Sequence, residues 1–180
     1  MDDRPEITNK FNQLGGASRF GDLLGPESDA IRVGEEPKAG KAPPPPHSGR
    51  VRHFENGSIY WHKKTGAHAV FGLIRRKWQS IGGHRSHLKF PISDEVPTDA
   101  GNGMKTTFEG GVVVWRSGTG EAFEVHGAIR AKYRSLRGTT GLLGYPIMDE
   151  TGTPDGVGRY RRRHLLSGST HRSHVGDGRT

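Results

Sequence analysis

The sequence predicts an α+β protein made of small tandem repeats, each a short helix, a Pro-containing loop and a β-hairpin. Three observations carry that expectation: helix-spaced apolar triplets that recur at long intervals, an aromatic-proline string ending in Asp-Glu that occurs twice, and a Gly-centred β-rich segment that also occurs twice.

The helices come first. Ile74, Trp78 and Ile81 precede Gly82 and Gly83, and one period later Ile129, Tyr133 and Leu136 precede Gly138 with the offset equal at all three positions. Ile7, Phe11 and Leu14, before Gly15 and Gly16, show the same pattern ahead of the second copy. An i, i+4, i+7 spacing puts three apolar side chains on one helical face, and the glycines suit a left-handed stop. The first interval is longer than the second, and most of the excess fits an insert at 38–49, where Pro43 to Pro46 read as a stiff polyproline spacer.

The loop follows each helix. Leu88-Lys89-Phe90-Pro91-Ile92-Ser93-Asp94-Glu95 is matched one period on by Leu143-Gly144-Tyr145-Pro146-Ile147-Met148-Asp149-Glu150. In the first copy the corresponding string is expected at Leu24-Gly25-Pro26, without an aromatic. Phe54-Glu55-Asn56-Gly57-Ser58-Ile59-Tyr60-Trp61 aligns with Phe108-Glu109-Gly110-Gly111-Val112-Val113-Val114-Trp115, which predicts hairpins turning at Asn-Gly and Gly-Gly. Thr65-Gly66-Ala67 and Thr119-Gly120-Glu121 then lead through Val70 and Val125 to the next helix. The resulting plan is an extension at 1–6, repeat 1 at 7–70, repeat 2 at 71–125, a partial repeat 3 at 126–163 and a disordered basic tail at 164–180. In the third copy Gly158-Arg159-Tyr160 enters the hairpin, but Arg163 stands where Phe54 and Phe108 stood.

Composition narrows the function. The chain of 180 residues has no cysteine, which excludes disulfides and thiolate metal sites. The net charge of +8 is uneven: residues 159–180 hold six arginines against Asp177 alone, a balance of +5. A nucleic-acid reading rests on that tail and on Arg161-Arg162-Arg163, and a solvated terminus is the plainer account. No Gly-x-Ser-x-Gly, His-Glu-x-x-His or P-loop string occurs, so no enzyme is expected. His84 and His87 are three apart, but no third ligand lies beside them in sequence, so neither a metal nor a cofactor is expected. No apolar run is long enough to span a membrane, and the first ten residues do not read as a secretory signal.

Together, Leu143-Gly144-Tyr145-Pro146, the Asp-Glu pairs and the Phe-Glu-x-Gly-Ser-Ile-Tyr-Trp hairpin resemble the LGFP repeat of actinobacterial cell-envelope proteins over about residues 7 to 163. The resemblance implies a non-catalytic accessory module that binds cell-wall polysaccharide, located at the envelope or secreted. A chain complete as written, with no signal, would instead be cytoplasmic. The broken third copy suggests self-association or descent from a larger parent protein. Tyr60, Trp61 and Trp115 are the aromatic candidates for sugar stacking, although periodic aromatics more often fill cores. Asp94, Glu95, Asp149 and Glu150 are candidate sugar ligands, weighed against hydrogen bonding to nearby backbone N–H groups.

Overall fold

The computed structural model describes residues 5–31, 49–152 and 159–160. Nearly all of the expected insert, the start of the N-terminal extension, Arg163 and the basic tail lie outside the described residues.

The chain opens with α1 (Pro5–Gln13) and the single turn α2 (Ala17–Phe20). A four-stranded antiparallel sheet follows in the order β1 (Ser28–Asp29), β2 (Gly49–His53), β3 (Gly57–His62) and β4 (Gly66–Phe71). Then come α3 (Gly72–Ser80) and a second sheet of β5 (Val96–Pro97), β6 (Gly103–Thr107), β7 (Gly111–Arg116) and β8 (Ala122–His126). After α4 (Gly127–Ser135), β9 (Thr151–Gly152) and β10 (Arg159–Tyr160) pair in the register that β5 and β6 use one repeat earlier. The three apolar helix faces fall where the spacing puts them, with Ile7, Ile74, Trp78 and Tyr133 buried.

Two details differ from the sequence expectation. Each hairpin is part of a longer meander, because the segments read as connections, 66–71 and 122–126, form full strands beside β3 and β7. The hairpin turns also sit one residue earlier than Asn-Gly and Gly-Gly. Phe54 N–H donates to the Gly57 carbonyl and Phe108 N–H to that of Gly111, so Glu55-Asn56 and Glu109-Gly110 are the turn residues. None of the four has positive φ, so the turns are not type I′. Gly110 is needed for close approach instead: a Cβ there would stand 2.0 Å from the His87 carbonyl oxygen.

Those turns dock on the loop behind the preceding helix. Glu55 and Asn56 donate to the carbonyls of Asp22 and Phe20, as Glu109 and Gly110 do to those of Phe90 and Leu88. The equivalent of Leu88 to Pro91 in the first copy is therefore Phe20 to Leu23, and not Leu24 to Pro26. In this frame Gly21, Lys89 and Gly144 coincide, and all three are left-handed, with φ of 71°, 58° and 59°. Lys89 accepts a conformation that costs about 1–2 kcal/mol for an L side chain.

The first sheet is covered on both faces. Ile59, Trp61 and Ala69 face α1 and pack with Ile7, Phe20 and Phe54. Val51, Tyr60 and Val70 point the other way, into a core shared with Ile74, Trp78, Leu88, Phe90, Phe108 and Val113. Because α3 also lies across β7 and β8, this core joins the two sheets.

Candidate functional site

The carboxylates of the repeated Asp-Glu pair tie one unit to the next. Asp94 accepts the Ala69 N–H from the β4 edge at 2.9 Å and the Lys10 Nζ from α1 at 2.8 Å. Asp149 repeats both bonds, with the Glu124 N–H at 3.1 Å and with Lys77 of α3. Burial alone would raise the Asp94 pKa, but hydrogen bonds from His68, Lys10 and the Ala69 N–H outweigh it and hold the carboxyl well below the usual carboxylate range. Glu95 and Glu150 sit at the starts of α3 and α4. Glu150 accepts the His126 N–H at 3.0 Å, and Glu95 takes a backbone hydrogen bond from Phe71. Burial pushes the Glu95 carboxyl up.

The candidate aromatics separate. Tyr60 and Trp61 are both buried and, as strand neighbours, point to opposite faces of the first sheet. Tyr60 meets Trp78 edge to face, with ring centroids 4.7 Å apart, and Trp61 belongs to the core under α1. Trp115 is half-buried at the margin of the central core, and its Nε1 donates to the Thr119 carbonyl at 3.0 Å. The three therefore form no common platform.

The repeat instead opens a cavity at a place the motifs do not mark. Beneath the first sheet, His53, Tyr60, Trp78 and His84 fill the space in front of α3, and Tyr60 lies 6.0 Å from His53 and 5.9 Å from His84 between ring centroids. The corresponding residues of the second sheet and α4 are Thr107, Val114, Tyr133 and Thr139, each smaller than its counterpart. All four line an open groove of about 620 Å³.

The groove is basic. Among the described residues, Lys105, Arg130, Arg134 and Arg137 line it against one carboxylate, Asp99, which pairs with Lys105 at 2.9 Å, so the three arginines set its charge. In the first unit Arg75 takes the place of Arg130 and donates to the Phe54 carbonyl at 3.3 Å. The Arg130 Nε is buried and has no hydrogen-bond partner among the described residues. Burial, and then the Arg134 charge, lower its pKa from the ordinary guanidinium value. Tyr133 forms part of the floor and is fixed by its hydroxyl, which donates to the Gly144 carbonyl at 2.7 Å. Guanidinium groups lining one groove with a tyrosine suit an anionic ligand that also presents C–H surface, since arginine can grip carboxylate or phosphate with two parallel bonds.

The sequence does not mark this groove because Arg130 and Arg134 are ordinary residues of a helix pattern and Arg137 one of the turn behind it. The available signal is the aligned pairing of Tyr60 with Val114 and of Trp78 with Tyr133, where large residues become small together.

The profile of the LGFP repeat family matches residues 36–86 and 88–141, more than half the chain. The first match begins between β1 and β2 and the second ahead of β5, and both run past the following helix, so they cut the period at a different point from the helix-first frame. A search of curated proteins found no match.

Proposed function

The chain belongs to the LGFP repeat family, and on that premise we propose that it is a non-catalytic module that binds cell-wall polysaccharide at the bacterial envelope, using the basic groove between the second sheet and α4. The observation that carries this reading is the local replacement of core aromatics by an open, arginine-lined cavity in one copy of an otherwise repeated frame. An acidic or phosphorylated wall glycan supplies both the anion for Arg130, Arg134 and Arg137 and the C–H face for Tyr133. Trp115, on the other face of the same sheet, is a second proposed sugar contact. Tyr60, Trp61 and the Asp-Glu pairs serve binding indirectly, by fixing the frame that holds the groove open.

The experiment is cosedimentation with purified cell walls and, separately, with duplex DNA, each across a salt series. Wall binding that weakens with salt and is lost in Arg134→Glu supports the proposal. Binding to DNA alone, removed by deleting residues 159–180, would sink it and restore the reading based on the arginine-rich tail.

A further inference from the structure

A second cluster lies apart from the groove. His87 follows the turn after α3, while Glu124 and His126 alternate on β8 and so project to the same face. The fold brings one ligand atom from each to within 4.8 Å of the others. His87 Nε2 stands 2.7 Å from Glu124 Oε2, and the two imidazoles are 4.4 Å apart between centroids. Glu150 places Oε2 3.3 Å from His126 Nε2 while its other oxygen accepts the His126 N–H, which fixes that residue from behind.

We propose that His87, Glu124 and His126 form a binding site for a divalent transition metal of the zinc class. Two imidazoles and a carboxylate are a recurrent zinc donor set, with metal–ligand distances of about 2.0–2.2 Å. In a tetrahedron of that size the ligand atoms stand about 3.4 Å apart, so the 2.7 Å His87–Glu124 pair must spread and the wider separations, up to 4.8 Å, must close by side-chain adjustment to admit the ion. Glu124 is 8% exposed and forms the floor, whereas His87 at 46% leaves an approach from solvent. Glu150 holds the His126 backbone through Oε1, and its Oε2 stands beside the same Nε2 that approaches Glu124, at the edge of the donor set.

The cluster is not a requirement of the repeat. The first unit carries Ala69 and Phe71 where the second has Glu124 and His126, on the same strand and before an equivalent helix. Those residues therefore supply substitutions that the frame already tolerates. The site also stands independently of the glycan proposal, because none of its residues lines the groove.

The test is calorimetric titration of the metal-stripped full chain with zinc chloride, beside Glu124→Ala, His126→Phe and the solvent-facing His87→Asn, with X-ray absorption on the zinc-loaded protein. The expected result is one zinc ion more per chain than any variant binds, with nitrogen and oxygen but no sulfur donors, and affinity at that site reduced at least about tenfold in each variant. Equal zinc stoichiometry and affinity in wild type and His87→Asn would overturn the proposal. Magnesium binding as tight as zinc would overturn it as well, since imidazole donors do not suit magnesium.

Discussion

The two sheets share a register, a helix, a hairpin that docks on the preceding loop and an aspartate that bonds backward, yet their α3-facing and α4-facing surfaces diverge. In front of α3, Tyr60, Trp78, His53 and His84 close the surface into core; in front of α4, Val114, Tyr133, Thr107 and Thr139 leave it open and arginine-lined. What is held constant is the set of contacts that joins one unit to the next. What varies includes the filling between sheet and helix, where large aromatics of the first unit correspond to smaller residues in the second.

The largest test of that contrast is truncation of the matched helix aromatics. Trp78 is fully buried, and Trp78→Ala should cost about 3–5 kcal/mol in urea unfolding, in line with other large aromatic truncations. Tyr133 already borders the groove, so Tyr133→Ala should cost roughly half as much. Equal losses would mean that the two surfaces are packed alike.

The contacts held constant should respond equally. Asp94→Ala and Asp149→Ala each strand a strand-edge N–H and a lysine, and each should cost about 1–3 kcal/mol. Acid should act through the same bonds. The Asp94 pKa is depressed in the folded state, so its contribution is complete above the ordinary carboxylate pKa near ~4 and is lost as pH falls below it. Thermal unfolding between pH 6 and pH 2 should fall more gently for Asp94→Asn than for wild type.

Near neutrality the contrast should reappear. Burial lowers the pKa of His53, with Arg75 adding to the effect, and of His84, with Arg85 and His53 adding. Both histidines are therefore harder to protonate folded than unfolded, so stability is present above the ordinary histidine pKa near ~6.5 and declines as pH drops through it. The second unit has threonine at both positions. His84→Thr should flatten the melting-temperature profile between pH 7.5 and 5.5, and an unchanged profile would remove the histidines from the account.

The smallest effect concerns backbone. Lys89 holds the left-handed position that Gly144 holds one repeat later. Lys89→Gly should therefore stabilise the chain by about 1 kcal/mol in urea unfolding, while Gly144→Ala should destabilise it by a similar amount.

Much of this frame is legible in the sequence. The apolar triplets and the duplicated Asp-Glu strings locate the helices and the ties, because periodicity and identity survive wherever a residue has the same neighbours in every copy. Strands β4 and β8 escape the pattern because Ala67 to Val70 and Ala122 to Val125 mix small, charged and apolar residues. They are strands because β3 and β7 offer them a free edge. Pattern alone sets the first copy's loop too late, because Leu24-Gly25-Pro26 imitates the motif, whereas the docking bonds of Glu55 and Asn56 select Phe20 to Leu23. The groove is hidden for another reason: its basic face, Arg130, Tyr133, Arg134 and Arg137, lies on and just after α4 and its floor residue Val114 on β7, and no pattern within one element records that the two face each other.

The opening beside α4 is the proposed site of wall binding, and closing it should remove that binding. Val114→Tyr restores the residue that the first unit uses to fill the same space. Isotherms for binding to purified cell walls should show at least about a tenfold loss of affinity for Val114→Tyr, a change of about 1.4 kcal/mol, with melting temperature held or raised. Wild-type affinity in a folded Val114→Tyr protein would contradict the account and place the binding surface elsewhere.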